Sequence, residues 1–67
     1  MVTVSSSMMD AVEYDAEGRR LRIHFVDGGW YTYLRVPAAV FRGLLAAPSK
    51  GRYFHAAIKD RFAFLRR

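Results

Sequence analysis

The sequence predicts an α+β fold: a three-stranded antiparallel β-meander followed by two short helices packed on one face of the sheet. Three observations predict it. Apolar and polar residues alternate through 20–25, and Asp27-Gly28-Gly29 separates two β-forming runs. After Pro37 the apolar residues recur instead at three- and four-residue spacing.

Residues 1–7, polar and β-branched and ending in three serines, read as a loose arm, with one domain spanning 8–67. From Met8 to Asp15, the even spacing of Met8, Val12 and Tyr14 suits a half-buried first strand. Asp10 would share that face, near an edge or the strand's start. Asp15-Ala16-Glu17-Gly18 is a turn signal, with Gly18 expected to supply a positive φ. In the second strand Leu21, Ile23 and Phe25 alternate with Arg20, Arg22 and His24, which predicts one apolar and one basic face. Asp27-Gly28-Gly29 then marks a hairpin, and Trp30 to Val36 is the return strand.

Pro37 closes the sheet and suits the first turn of a helix, where its missing N–H costs nothing. Val40, Phe41, Leu44 and Leu45 form one apolar stripe, and Gly43 is expected on the far side. Ala47-Pro48 ends that helix. Ser49 reads as the N-cap of a second one, with Tyr53, Phe54, Ala57 and Ile58 along one side. Asp60 to Arg67 alternates Phe62 and Phe64 with Arg61 and Ala63, and reads as a short edge strand or an extended tail on the core.

At 67 residues there is room for one domain. A chain this short buries about 60% of its unfolded surface, so its core should supply only roughly 3–5 kcal/mol. The apolar fraction of 52% argues against disorder. With no cysteine, disulfides and thiolate metal sites are excluded, and stability must come from packing of the ten aromatic residues. Met1 to Met9 lacks a basic segment and a sustained apolar stretch, so neither a secretory signal nor a membrane anchor is expected, and the cytoplasm is the default.

Charge is unevenly distributed. Residues 1–27 hold three Arg against five Asp or Glu, whereas 28–67 hold eight Lys or Arg against Asp60 alone. A pI near 10.3 with the cations in one part favours an anionic partner, nucleic acid above all. The net charge of +5 also lies within what solubility alone requires.

The order of several short motifs resembles the KTSC domain, a family named for its place at the C-terminus of some lysyl-tRNA synthetases. They are Val12-Glu13-Tyr14-Asp15, Leu21-x-Ile23-x-Phe25 with Gly28, Tyr31-Thr32-Tyr33, Val36-Pro37, and Ser49-x-Gly51-x-Tyr53-Phe54 with Ile58-Lys59. The resemblance covers Ser6 to Arg66, and its weight lies in order and spacing. It implies a small bacterial domain without an established catalytic residue, for which RNA binding is suggested by the synthetase context. Gly29-Trp30 departs from the polar residues common in the family at that place.

Two candidate sites follow from the residues. With a two-residue Asp27-Gly28 loop, Tyr31 and Tyr33 share a face with Arg20, Arg22 and His24, an aromatic and basic platform of the kind that stacks unpaired bases. With a three-residue Asp27-Gly28-Gly29 loop Tyr31 instead joins Leu21, Ile23 and Phe25 in the core, where so small a domain needs its aromatics. The second candidate is Ser49-Lys50-Gly51-Arg52, whose backbone N–H groups and two cations would suit phosphate, or serve as a plain N-cap. Arg61, Arg66 and Arg67 form a third basic group that can protect an edge strand.

His24 and His55 sit in different elements without a second ligand at metal spacing, so no metal site and no cofactor are expected. Ser49 has no placeable His or Asp partner, and Asp10, Glu13 and Asp15 are spaced as strand residues, so nothing recommends an enzyme. The leading expectation is an RNA-binding module using Arg20, Arg22, Arg35, Lys50, Gly51 and Arg52 for phosphate and Tyr31 and Tyr33 for stacking. The alternative is a protein-interaction module whose sheet face or edge docks a partner or a second copy.

Overall fold

Alternating apolar residues create strands that need a cover, and the helices supply it. The computed structural model describes Val2 to Arg67. Its strands are β1 (Val2–Thr3), β2 (Met9–Asp15), β3 (Arg20–Phe25), β4 (Gly29–Tyr33) and β5 (Phe64–Leu65). They form one antiparallel sheet in the order β1-β2-β3-β4-β5. Helix α1 (Ala38–Ala46) and helix α2 (Lys50–Tyr53), which continues into a π turn at Phe54–Ile58, lie between β4 and β5. The α+β class and the helices agree with the sequence reading. The sheet has five strands rather than three, because Val2 and Thr3 of the expected arm pair with Val12 and Ala11, and the C-terminal segment pairs with β4.

The core lies between one sheet face and the helices. Met9, Val12, Leu21, Ile23, Val36, Leu44 and Ile58 are fully buried. Even spacing places Met8 and Asp10 on this face, but a bulge corrects it. The register slips between Met9 and Ala11, so Met9 joins Val12 and Tyr14 inside while Asp10 turns outward. An inserted residue reverses the alternation on its N-terminal side, and so it rescues a polar residue from the core.

The β2–β3 turn also differs from expectation. Arg19, not Gly18, has the positive φ of 53°. Asp15 Oδ1 accepts from the Glu17 and Gly18 amides at 3.1 and 3.2 Å, and a Cβ on Gly18 would stand 2.6 Å from the same carboxylate. Glycine there provides room for the turn's own hydrogen bonds.

Pro37 is the extended N-cap of α1 rather than its first helical residue. Phe41 stacks on Tyr14 with ring centres 4.9 Å apart, and the Tyr14 hydroxyl donates to Val36 O at 2.6 Å. Gly43 is not on an idle side: Tyr53 packs against it and donates to Val40 O at 2.9 Å. The π turn closes with Lys59 N donating to Phe54 O, and it keeps Phe54 and Ile58 both directed into the core. Among the described residues no helix is long and apolar enough to cross a membrane.

Candidate functional site

Hairpin register decides where the two central tyrosines go. Leu21 pairs with Tyr33, Ile23 with Tyr31 and Phe25 with Gly29, which leaves a three-residue loop, Val26-Asp27-Gly28, one residue earlier than the expected Asp27-Gly28-Gly29. Gly29 opens β4 just after that loop at φ 76°, a conformation a side chain would strain. The two-residue alternative is therefore excluded. Tyr31 and Tyr33 lie on the helix-covered face, and the platform joining them to Arg20, Arg22 and His24 does not form. Its failure has one cause, since a single residue of loop length inverts every side chain of the returning strand.

The open face carries matched charges instead. Arg22 donates to Glu13 at 2.8 Å and lies 4.5 Å from the centre of the Trp30 ring. His24 Nδ1 lies 2.6 Å from Asp10 Oδ1, and its ring leans on Trp30 at 5.1 Å. Arg20 stands 3.9 Å from Asp15. Each basic group of β3 thus faces a carboxylate of β2, which reduces its attraction for an external anion. Trp30, unassigned by the sequence reading, spreads over both Arg22 and His24; its cross-strand pairing with His24 supplies its place.

At the second candidate, Ser49 is the expected N-cap: its Oγ accepts from Arg52 N at 3.3 Å. Lys50 turns back, however, and its Nζ donates to Leu45 O and Ala47 O at 3.2 and 3.0 Å. Those are terminal carbonyls of α1, which attract a cation. Lys50 therefore spends two of its three ammonium N–H groups on the preceding helix. Gly51 and the exposed Arg52 line a cleft with Ser49, Lys50, His55 and Ser5–Ser7, a lining that includes no residue of β3 or β4. Asp60 lies elsewhere, so Ser49, His55 and Asp60 do not share one cavity.

The structure gathers another set of residues along β4 and β5. A cavity of about 320 Å³ is lined by Phe25, Gly28, Tyr31, Tyr33, Phe54, Phe64, Lys59 and Asp60. Tyr31 and Tyr33 rings are nearly parallel, 6.4 Å apart, and Phe64 leans on both at 5.5 and 5.6 Å. Phe64 itself is 50% exposed at the mouth. Burial, then the neighbouring Tyr31 and Asp60, push the Tyr33 phenol up to about 12. The hydroxyls of Tyr14 and Tyr53 donate to backbone carbonyls, and no buried side-chain polar atom among the described residues lacks a partner, so the Tyr33 hydroxyl, bonded to no protein group, opens to solvent.

Cations follow the same edge. Arg66 lies 5.4 Å from the centre of the Tyr31 ring, and Arg67 O accepts from Thr32 Oγ1 at 2.7 Å. Arg35 and Arg61 line one cleft beside Leu34, whose amide donates to Ala63 O. Among the described residues Arg35, Lys59, Arg61, Arg66 and Arg67 form no ion pair. Sequence reasoning named Arg35 and the tail arginines but missed that β5 brings them together. The alternation of Phe62 and Phe64 was the available signal, because it implied a strand that needed an edge to join.

Comparison with known proteins gives four consistent findings. The KTSC domain family model matches residues 5–62. A Tsukamurella paurometabola protein is 42% identical over 62 residues, 92% of each chain. A lysine–tRNA ligase of Nostoc sp. is 40% identical over 58 residues, which are 87% of this chain and 10% of the ligase. The crystal structure of a KTSC domain protein from Yersinia pestis superposes with a TM-score of 0.94 at 39% identity, covering 96% of this chain and 90% of that one.

Proposed function

The chain belongs to the KTSC domain family, and from that premise we propose that it binds single-stranded RNA along its β4–β5 edge. One observation carries the reading: five cations that form no ion pair among the described residues, Arg35, Lys59, Arg61, Arg66 and Arg67, follow this edge beside exposed aromatic surface. Unpaired cations attract a phosphate backbone, while aromatic faces accept its bases without regard to sequence. The likeness to a segment of lysine–tRNA ligases, proteins named for a tRNA substrate, adds support. On this reading the domain acts by binding, with no turnover and no cofactor.

Fluorescence anisotropy of a labelled RNA about ten nucleotides long tests the proposal. With about four phosphate contacts, affinity should fall roughly 50-fold between about 50 and 200 mM salt. Arg61→Ala and Arg66→Ala should each flatten the logarithmic salt slope by about 0.7. Absence of binding at the lowest salt overturns the reading.

A second reading, docking of a protein partner or a second copy, is favoured by β5 itself. Its Phe64 and Leu65 are 50% and 40% exposed, and its outer edge is unpaired among the described residues. Such an edge can accept another strand. Sedimentation that yields a stable dimer, insensitive to salt, would favour this reading over the first.

A further inference from the structure

Resting on the RNA-binding reading, we propose that the aromatic cavity beneath β5 seats one unpaired nucleobase of the bound strand. Its volume of about 320 Å³ is at the lower end of the range found for small-molecule sites. The rings of Phe25, Tyr31, Tyr33, Phe54 and Phe64 wall it, several of them edge-to-face, so a flat π system finds both faces and edges to meet.

Polar groups inside distinguish a base from a purely apolar guest. Tyr33 belongs to the cavity wall, and its hydroxyl, bonded to no protein group and open to solvent, is available to a guest as donor or acceptor. Asp60 contributes an acceptor and Lys59 a donor to the same lining. An aliphatic side chain would leave all three unused, whereas the edge of a base presents both donors and acceptors. Arg66 over Tyr31 stands where the phosphate flanking a seated base would emerge.

Two strands of equal length, one ordinary RNA and one abasic ribose-phosphate, separate this inference from the reading it rests on. Phe64 is half exposed, so Phe64→Ala should fold. It is expected to weaken ordinary RNA roughly 5- to 150-fold, the cost of losing one stacked base, and to leave the abasic strand unchanged. Tyr33→Phe keeps the ring and removes only the hydroxyl. It should weaken ordinary RNA several-fold while sparing the abasic strand, and it carries the test if Phe64→Ala fails to fold. Equal losses on both strands, or wild-type protein holding both equally well, overturn the seated base and leave the cationic edge standing. If neither strand binds at about 50 mM salt, both proposals fall. Amide and ring shifts at Tyr31, Tyr33 and Phe64 with N-acetyl-leucinamide but not with adenosine monophosphate would overturn it in favour of a protein side chain.

Discussion

Tyr33 shows how one side chain couples stability to a candidate site. Its ordinary phenol value of 10 is raised to about 12, first by burial and then by Tyr31 and Asp60. The folded state therefore holds the proton more tightly than the unfolded state. Stability from this source is complete below pH 10 and is lost as pH climbs from about 10 to 12, at up to about 1.4 kcal/mol per pH unit. Urea titrations across that window should show a shallower decline for Tyr33→Phe than for the wild type. An equal decline would mean that Tyr33 does not carry the effect. Gly43 makes the opposite point about intrinsic preference. Ala is the better helix former by about 1 kcal/mol. A Cβ at 43, however, would stand 2.7 Å from Tyr53 Cζ, and the ring is held by its bond to Val40 O. Gly43→Ala should consequently destabilise by about 1–3 kcal/mol, and thermal melting decides the sign.

Among the elements, α1 is attached chiefly through Leu44, its one fully buried residue, with Val40, Phe41 and Leu45 partly covered around it. Leu44→Ala should cost about 2–5 kcal/mol, comparable with the whole stability expected of so small a core. Loss of the cooperative urea transition at 25 °C, followed by circular dichroism, is the expected outcome. The stripe that identifies Leu44 was legible because helical spacing is a local property of the chain. So were the β3 alternation and the Ser49 cap. The bulge at Asp10 was not, since an even run of residues looks the same whether or not its partner strand skips one. The register of β4 was left open for the same reason: both loop lengths satisfy local turn chemistry, and only packing of Tyr31 and Tyr33 against Phe25, Phe54 and Phe64 selects between them.

For the molecule as a whole, the division of charge along the chain becomes a division in space. Carboxylates of β2 oppose the basic side chains of β3, and the cations of residues 59–67 join Arg35 along β4 and β5. Replacing Arg20 and Arg22 together should leave RNA affinity and its salt slope nearly unchanged. Replacing Arg61, Arg66 and Arg67 should lower the slope by about 2. Anisotropy titrations on the two variants compare the faces directly, and a larger loss from the β3 pair would return the interface to the open sheet. Composition, periodicity and motif order were enough for the α+β class, the helices, the family likeness and the net positive charge, because each is additive or local along the chain. Which cations are neutralised, which aromatics share a cavity and which strand closes the sheet depend on partners distant in sequence, such as Thr32 with Arg67 or Tyr33 with Phe64. Those pairings arise only when the chain's ends are brought to opposite edges of one sheet, so folding in three dimensions decided them.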